Sequence, residues 1–183
     1  MMLSSQRGFT LIELLVSILI ISFGLLGLAK LQGRMQLSEM ESYQRAQALL
    51  LLNDISSRMV ANPNNSSGYV TGSGSPVGTG MSCPASTGTR QQIDMSDWCN
   101  SLQGAAEIGA GSVKAGAMLG GRGCVESLGS NQYLITVTWQ GMGPISAPPA
   151  SVACGSGSYN GGAGCSNDLC RRAVTTIVRV ATL

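Results

Sequence analysis

The sequence predicts an α+β fold: one long N-terminal helix, membrane-spanning in its first half and amphipathic in its second, packs on a small antiparallel β-sheet with disulfide-stapled loops. Three observations predict it. An apolar run over residues 9–29 carries a single charge, and its helical spacing continues to Asn62-Pro63. Two late segments, 133–139 and 173–180, are rich in β-branched and aromatic residues. Six cysteines lie behind the apolar run in a background of glycine, serine and proline. The chain has 183 residues, enough for one domain plus an appendage. With aromatic content of only 4%, its core must lean on aliphatic side chains, methionine and cysteine bridges.

The first element reads FTLIELLVSILIISFGLLGLA over residues 9–29. Roughly 20 apolar residues cross a bilayer as a helix, so this is a transmembrane candidate. Arg7 and the amino terminus lie before it, which places the N-terminus in the cytoplasm by the positive-inside tendency. The rest of the chain is then expected outside the cytoplasm, in agreement with its cysteines. A secretory signal cut near Gly27-Leu28-Ala29 is the competing reading. The length of the run, Glu13 within it and the helical pattern beyond Lys30 weigh against that reading.

Glu13 is expensive where it stands. An acid at mid-membrane costs about 2.5–3.5 kcal/mol on insertion scales. Its place near the start of the helix recovers about 0.3–1 kcal/mol through the helix dipole. Snorkelling to the interface is one resolution; a positive partner is a better one, and the helix offers no lysine or arginine nearby. A cut between Gly8 and Phe9 would free an amine four residues before Glu13 and remove Arg7. In a stack of parallel copies, one subunit's Glu13 then meets the Phe9 amine of its neighbour.

The helix is expected to continue over residues 30–61. Leu28, Leu31 and Met35, then Ala48, Leu52, Ile55 and Met59, recur at three- and four-residue spacing with polar residues between. Residues 48–52 are apolar nearly all round, as expected where a domain packs on the helix. Asn62-Pro63 ends the pattern, because proline disfavours helical geometry in the residue before it. The whole helix would measure about 80 Å. Gly24, Gly27 and Gly33 fit close helix packing in a membrane or local softening.

Residues 62–90 read as a surface loop. Residues 94–102 read as a short helix, started by an aspartate or serine cap, that lays Trp98 and Leu102 on the core. A strand is expected around residues 123–126. Tyr133, Ile135, Val137 and Trp139 alternate with Leu134, Thr136 and Thr138 as a half-buried antiparallel strand, and residues 173–180 supply the last strand. Between them, residues 141–170 form a long excursion whose cysteines suggest stapling.

Several function classes lose support. The chain has no histidine, hence neither the commonest general base nor the commonest metal ligand. It also has no CxxC, P-loop or HExxH motif, so an enzyme is not expected, nor a cofactor or metal. A net charge of +2 without a basic stripe argues against a nucleic-acid surface. The cysteines are Cys83, Cys99, Cys124, Cys154, Cys165 and Cys170. Disulfides are favoured over a four-thiolate zinc site because close pairs are missing. Fifteen pairings are open; Cys165 with Cys170 and Cys83 with Cys99 are the short-loop candidates.

The stretch Arg7-Gly8-Phe9-Thr10-Leu11-Ile12-Glu13-Leu14-Leu15-Val16 resembles the class III signal of type IV pilins and type II secretion pseudopilins. The resemblance implies a leader of residues 1–8, a cut after Gly8 by a prepilin peptidase, N-methylation of Phe9, and Glu13 as the assembly acid. It also implies a filament-core helix over 9–29, its amphipathic continuation over 30–61 and a pilin head over 62–183. Many members carry a proline shortly beyond the buried part of the helix, and this chain has none there. "YLITVTWQG" at residues 133–141, then a cysteine loop and Arg171-Arg172-Ala173-Val174, resembles PilV-type minor pilins, as do residues 20–34. That likeness implies a subunit that primes type IV pilus assembly beside other minor pilins, the major pilin and the inner-membrane machinery. It would lie at the tip and support adhesion and twitching motility. Its location would be the inner membrane with the head in the periplasm, then the pilus. The alternatives are a type II secretion pseudopilin and a tip adhesin that binds a surface or DNA through residues 62–90 and 141–170.

Overall fold

A computed structural model describes residues 8–105, 109–112, 114, 118–162 and 164–181. The chain divides into two compact units, Met1–Glu39 and Met40–Leu183. Helix α1 (Leu11–Ala61) contributes to both.

In the first unit the apolar side chains of α1 from Leu11 to Leu37 are exposed. The helix is long and apolar enough to cross a membrane. The two serines within its apolar run, Ser17 and Ser22, satisfy themselves locally. Ser17 Oγ donates to Glu13 O and Ser22 Oγ donates to Ile18 O, both at 2.7 Å. This suits a medium without water, where an unpaired hydroxyl is costly. A Cβ placed at Gly24, Gly27 or Gly33 meets nothing within 4 Å, so nothing within the described chain requires glycine at these positions.

In the second unit, Gln44, Ala48, Leu52, Ile55 and Met59 form the buried stripe of α1. The apolar block at 48–52 is only partly used: Leu49 and Leu50 are exposed while Ala48 and Leu52 are buried. One face of a helix meets the core, so periodicity decides which of five consecutive apolar residues enter it. The stripe joins Trp98, Leu102, Val125, Tyr133, Ile135, Val137 and Trp139 in one core. Helix α2 (Arg90–Leu102) contributes Trp98 and Leu102, both fully buried, and the indole Nε1 of Trp98 donates to Leu51 O at 3.0 Å.

Helix α2 starts earlier than the sequence suggested. Its cap is Thr89, in a capping box with Gln92: Gln92 N–H donates to Thr89 Oγ1 (3.4 Å) and Thr89 N–H to Gln92 Oε1 (3.0 Å). Asp94 is therefore inside the helix, and it is buried. The stretch 62–90 also departs from a plain surface loop. Pro63–Tyr69 forms a short 3-10 helix that buries Tyr69, and Val77–Gly78 forms strand β1.

The sheet has strand order β1-β2-β3-β4, each pair antiparallel, with β2 (Arg122–Gly129), β3 (Gln132–Gln140) and β4 (Arg171–Arg179). Gly123 in β2 lies under the Trp98 ring, and a Cβ there would collide with it. Strand β3 is not half-buried as its alternation predicted. Thr136 and Thr138, which point away from Ile135 and Val137, are also fully buried. The excursion 141–170 covers that face: Tyr159 OH lies 3.0 Å from Thr138 Oγ1, and Cys154 bonds to Cys124 of β2. The remaining disulfides are Cys83–Cys99 and Cys165–Cys170.

The Arg171-Arg172 pair is internal rather than a basic surface. Arg171, 3% exposed, donates to Val152 O (2.6 Å), Cys154 O (3.0 Å) and the Asp168 carboxylate (3.2 Å). Arg172 donates to Gly143 O at 2.7 Å and to Glu41 Oε1 at 3.2 Å. Glu41 Oε1 also accepts from Met142 N–H at 2.7 Å, so both ends of the excursion are anchored.

A charged cluster ties the end of α1 to α2. Asp94, 1% exposed, accepts from Tyr69 OH (2.6 Å) and from Arg58 (2.9 Å), and pairs with Arg90 at 3.1 Å. Arg58 also meets Asp54 (2.9 Å) and Asp97 (3.2 Å). Burial alone would lower the pKa of Arg58, but hydrogen bonds to Asp54 and Asp94 outweigh it and raise it. Burial, reinforced by the bond to Asp94, pushes the Tyr69 phenol from 10.0 up to about 12. The neutral phenol is thus favoured in the folded state, so its stabilisation is complete below pH 10 and lost as pH rises towards 12. Stability is expected to fall by about 1 kcal/mol between pH 10 and 11. Chemical denaturation of Tyr69→Phe should show a shallower slope over that range. A residual slope is expected from Tyr159, whose pKa burial also raises.

Candidate functional site

The chemistry-bearing stretch lies in the first unit. Residues 8–10 precede α1 in non-helical backbone and are exposed, Phe9 by 78%. The Gly8–Phe9 bond is exposed and outside the helix, so its peptide group is not engaged in helical hydrogen bonds along the axis. Arg7 and the residues before it lie outside the described residues.

Thr10 O opens the helix by accepting from Glu13 N–H (3.1 Å) and Leu14 N–H (3.2 Å). Glu13 therefore stands in the first turn, where unsatisfied amides and the dipole favour a negative charge. Thr10-Leu11-Ile12-Glu13 also has the T-x-x-E spacing of a capping box. That spacing is legible in the sequence, but neither the Thr10 nor the Glu13 side chain makes a hydrogen bond among the described residues.

Glu13 makes no salt bridge among the described residues. The first basic residues beyond it are Lys30 and Arg34, about 25 Å or more along the helix axis. The carboxylate stands alone on an apolar rod. An arriving cation would meet it without competition, and a low-dielectric setting would strengthen the pair.

No cluster of three or more His, Cys, Asp or Glu suited to a metal occurs among the described residues. All six cysteines are in disulfides, so none offers a thiol or thiolate. The Asp94 cluster is the densest ionisable group in the second unit, but its charges and donors satisfy one another across α1, the Pro63–Tyr69 turn and α2. It acts as a structural clasp.

The family described as the prokaryotic N-terminal methylation motif matches residues 3–29. No curated protein and no solved structure matches the chain. The match covers the exposed stretch at residues 8–10, Glu13 and the apolar span, and it supports a type IV pilin-like or pseudopilin protein. The motif implies processing by a prepilin peptidase and assembly with other pilins. Together with the apolar helix it points to membrane anchoring and incorporation into a filament.

Proposed function

We propose that this chain is a minor pilin of the PilV type, which helps prime type IV pilus assembly and enters the pilus at its tip complex. The observation that carries the assembly reading is Glu13. It is a lone carboxylate in the first turn of an exposed apolar helix, four residues beyond Phe9 and within the matched methylation motif. A cut after Gly8 supplies the amine at Phe9, methylation keeps it basic, and a neighbouring subunit's Glu13 accepts it inside the filament. Residues 1–8 are the leader, 9–29 the filament-core helix, 30–61 its continuation and 62–183 the head. The head faces the periplasm before assembly. Its neighbours are other minor pilins and the major pilin, assembled by the inner-membrane machinery, in support of adhesion and twitching motility.

The likeness of residues 20–34, 133–141 and 171–174 to PilV-type sequences favours the pilus over a type II secretion apparatus. The leader motif and Glu13 are shared by both systems. Deleting the chain and measuring surface pili alongside secreted enzymes separates them. Lost or sparse pili with normal secretion is the expected result. Normal piliation with failed secretion would assign the chain to the secretion pseudopilus instead.

A further inference from the structure

We propose that the outward edge of β4 is a strand-addition site. It takes an extended segment of a neighbouring, non-identical subunit that carries a carboxylate opposite Arg179. Strand β4 is last in the order β1-β2-β3-β4 and pairs with β3 alone. Its hydrogen-bond phase can be read from both ends of the ladder. Gly141 N–H donates to Cys170 O at 2.8 Å, and Val180 N–H donates to Asn131 O at 2.9 Å. Both pairs lie directly opposite in the register that matches Gln140 with Arg171 and Gln132 with Arg179. Antiparallel ladders alternate bonded and non-bonded pairs. Arg172, Val174, Thr176 and Val178 therefore turn their backbone groups to β3. Those of Arg171, Ala173, Thr175, Ile177 and Arg179 face outward, and they have no backbone partner among the described residues.

Proteins usually guard such an edge with proline, a bulge, short length or a covering element. The opposite edge of this sheet is guarded: β1 is only the two residues Val77–Gly78. Strand β4 has nine residues, no proline or glycine and no register shift against β3. Its middle, Ala173-Val174-Thr175-Thr176-Ile177-Val178, is uncharged and rich in β-branched residues. Ile177 is 62% exposed, and Val174 and Val178 are half-buried at the rim of the core. An added strand would bury all three and pair the five outward amides, which is the geometry of strand addition.

Charge selects the occupant. Two copies of β4 paired antiparallel about Thr175 would set Arg179 of each against Arg171 of the other, whose buried guanidinium is already held by Asp168, Val152 O and Cys154 O, so a second copy of this acid-free strand brings no carboxylate to Arg179. Arg171 already has Asp168, whereas Arg179 is exposed and makes no salt bridge among the described residues. The favoured strand is therefore not a second copy; it is uncharged against Thr175 and Ile177 and acidic against Arg179. That it belongs to a neighbouring filament subunit rests on the assembly reading above; the free edge does not.

Amide hydrogen exchange on the full chain tests this, comparing purified protein in detergent with the envelope and sheared-filament fractions of cells that make it. The amides of Ala173, Thr175, Ile177 and Arg179 are expected to exchange at least about tenfold more slowly in the assembled fraction. Arg179→Glu should abolish that slowing and Arg179→Lys should keep it. Slowed amides in a chain confined to the envelope would uphold the edge and sink the pilus reading. Equal rates in every fraction would overturn the strand-addition site. Slowing that grows with concentration in the purified chain alone would assign the edge to a second copy and overturn the non-identical partner. Slowing that survives Arg179→Glu would overturn the carboxylate.

Discussion

Glu13→Ala is expected to leave membrane insertion and cleavage after Gly8 intact while incorporation into filaments falls by more than about a hundredfold. Removing a carboxylate that meets a buried amine leaves that amine unpaired in a low-dielectric bundle, at a cost of about 3 kcal/mol or more. Insertion should become easier, since the acid's own membrane cost of about 2.5–3.5 kcal/mol disappears. The opposing signs separate an assembly acid from a merely tolerated one. The mass of the mature N-terminus reports cleavage and methylation of Phe9, and the amount of the chain in sheared filaments reports incorporation. Normal incorporation of the alanine variant would show that the acid is incidental. Glu13→Gln refines the result, since it keeps the size and a hydrogen-bond acceptor but not the charge.

Asp94→Ala is expected to destabilise the second unit by about 3–5 kcal/mol, because a 1% exposed carboxylate holds Tyr69, Arg58 and Arg90 together. Truncation leaves a buried phenol and a guanidinium without their shared acceptor. Thermal unfolding of the full chain in detergent should shift down by roughly 10–15 °C. Asp97→Ala is the matched control. Its side chain also touches Arg58 but is 49% exposed, so its loss should cost under about 1 kcal/mol. Equal shifts for the two variants would show that Asp94 is no keystone.

Much of the fold is legible in the chain because it is local. The apolar run of α1, the core stripe of Ala48, Leu52, Ile55 and Met59, and the β3 and β4 patterns repeat over three or four residues or over two. The Cys83–Cys99 and Cys165–Cys170 bonds close loops of 16 and 5 residues, and short closures are the ones spacing can suggest. The Cys124–Cys154 bond has no such signal, yet it fastens the excursion across Thr136 and Thr138. An alternating strand reads as half-buried because one face of a sheet is normally wet; what covers the second face is decided elsewhere in the chain. The Thr89–Gln92 capping box was readable as T-x-x-Q, but it sits at the end of a glycine- and serine-rich stretch that hides the helix start.

The division is clearest for the two acids. Glu13 is singled out by sequence alone, because a charge within an apolar run is anomalous whatever surrounds it, and the helix offers no lysine or arginine nearby. Asp94 looks in sequence like a cap on a short helix. Only the tertiary structure makes it a buried clasp, since its partners Tyr69 and Arg58 lie 25 and 36 residues away. The open edge of β4 belongs to the same class: composition marks a strand, but strand order and hydrogen-bond phase decide which amides are left facing outward. Periodicity and membrane cost act within a few residues, so one chain states them directly. Burial, pairing and edges depend on which distant segments meet, and folding alone settles that.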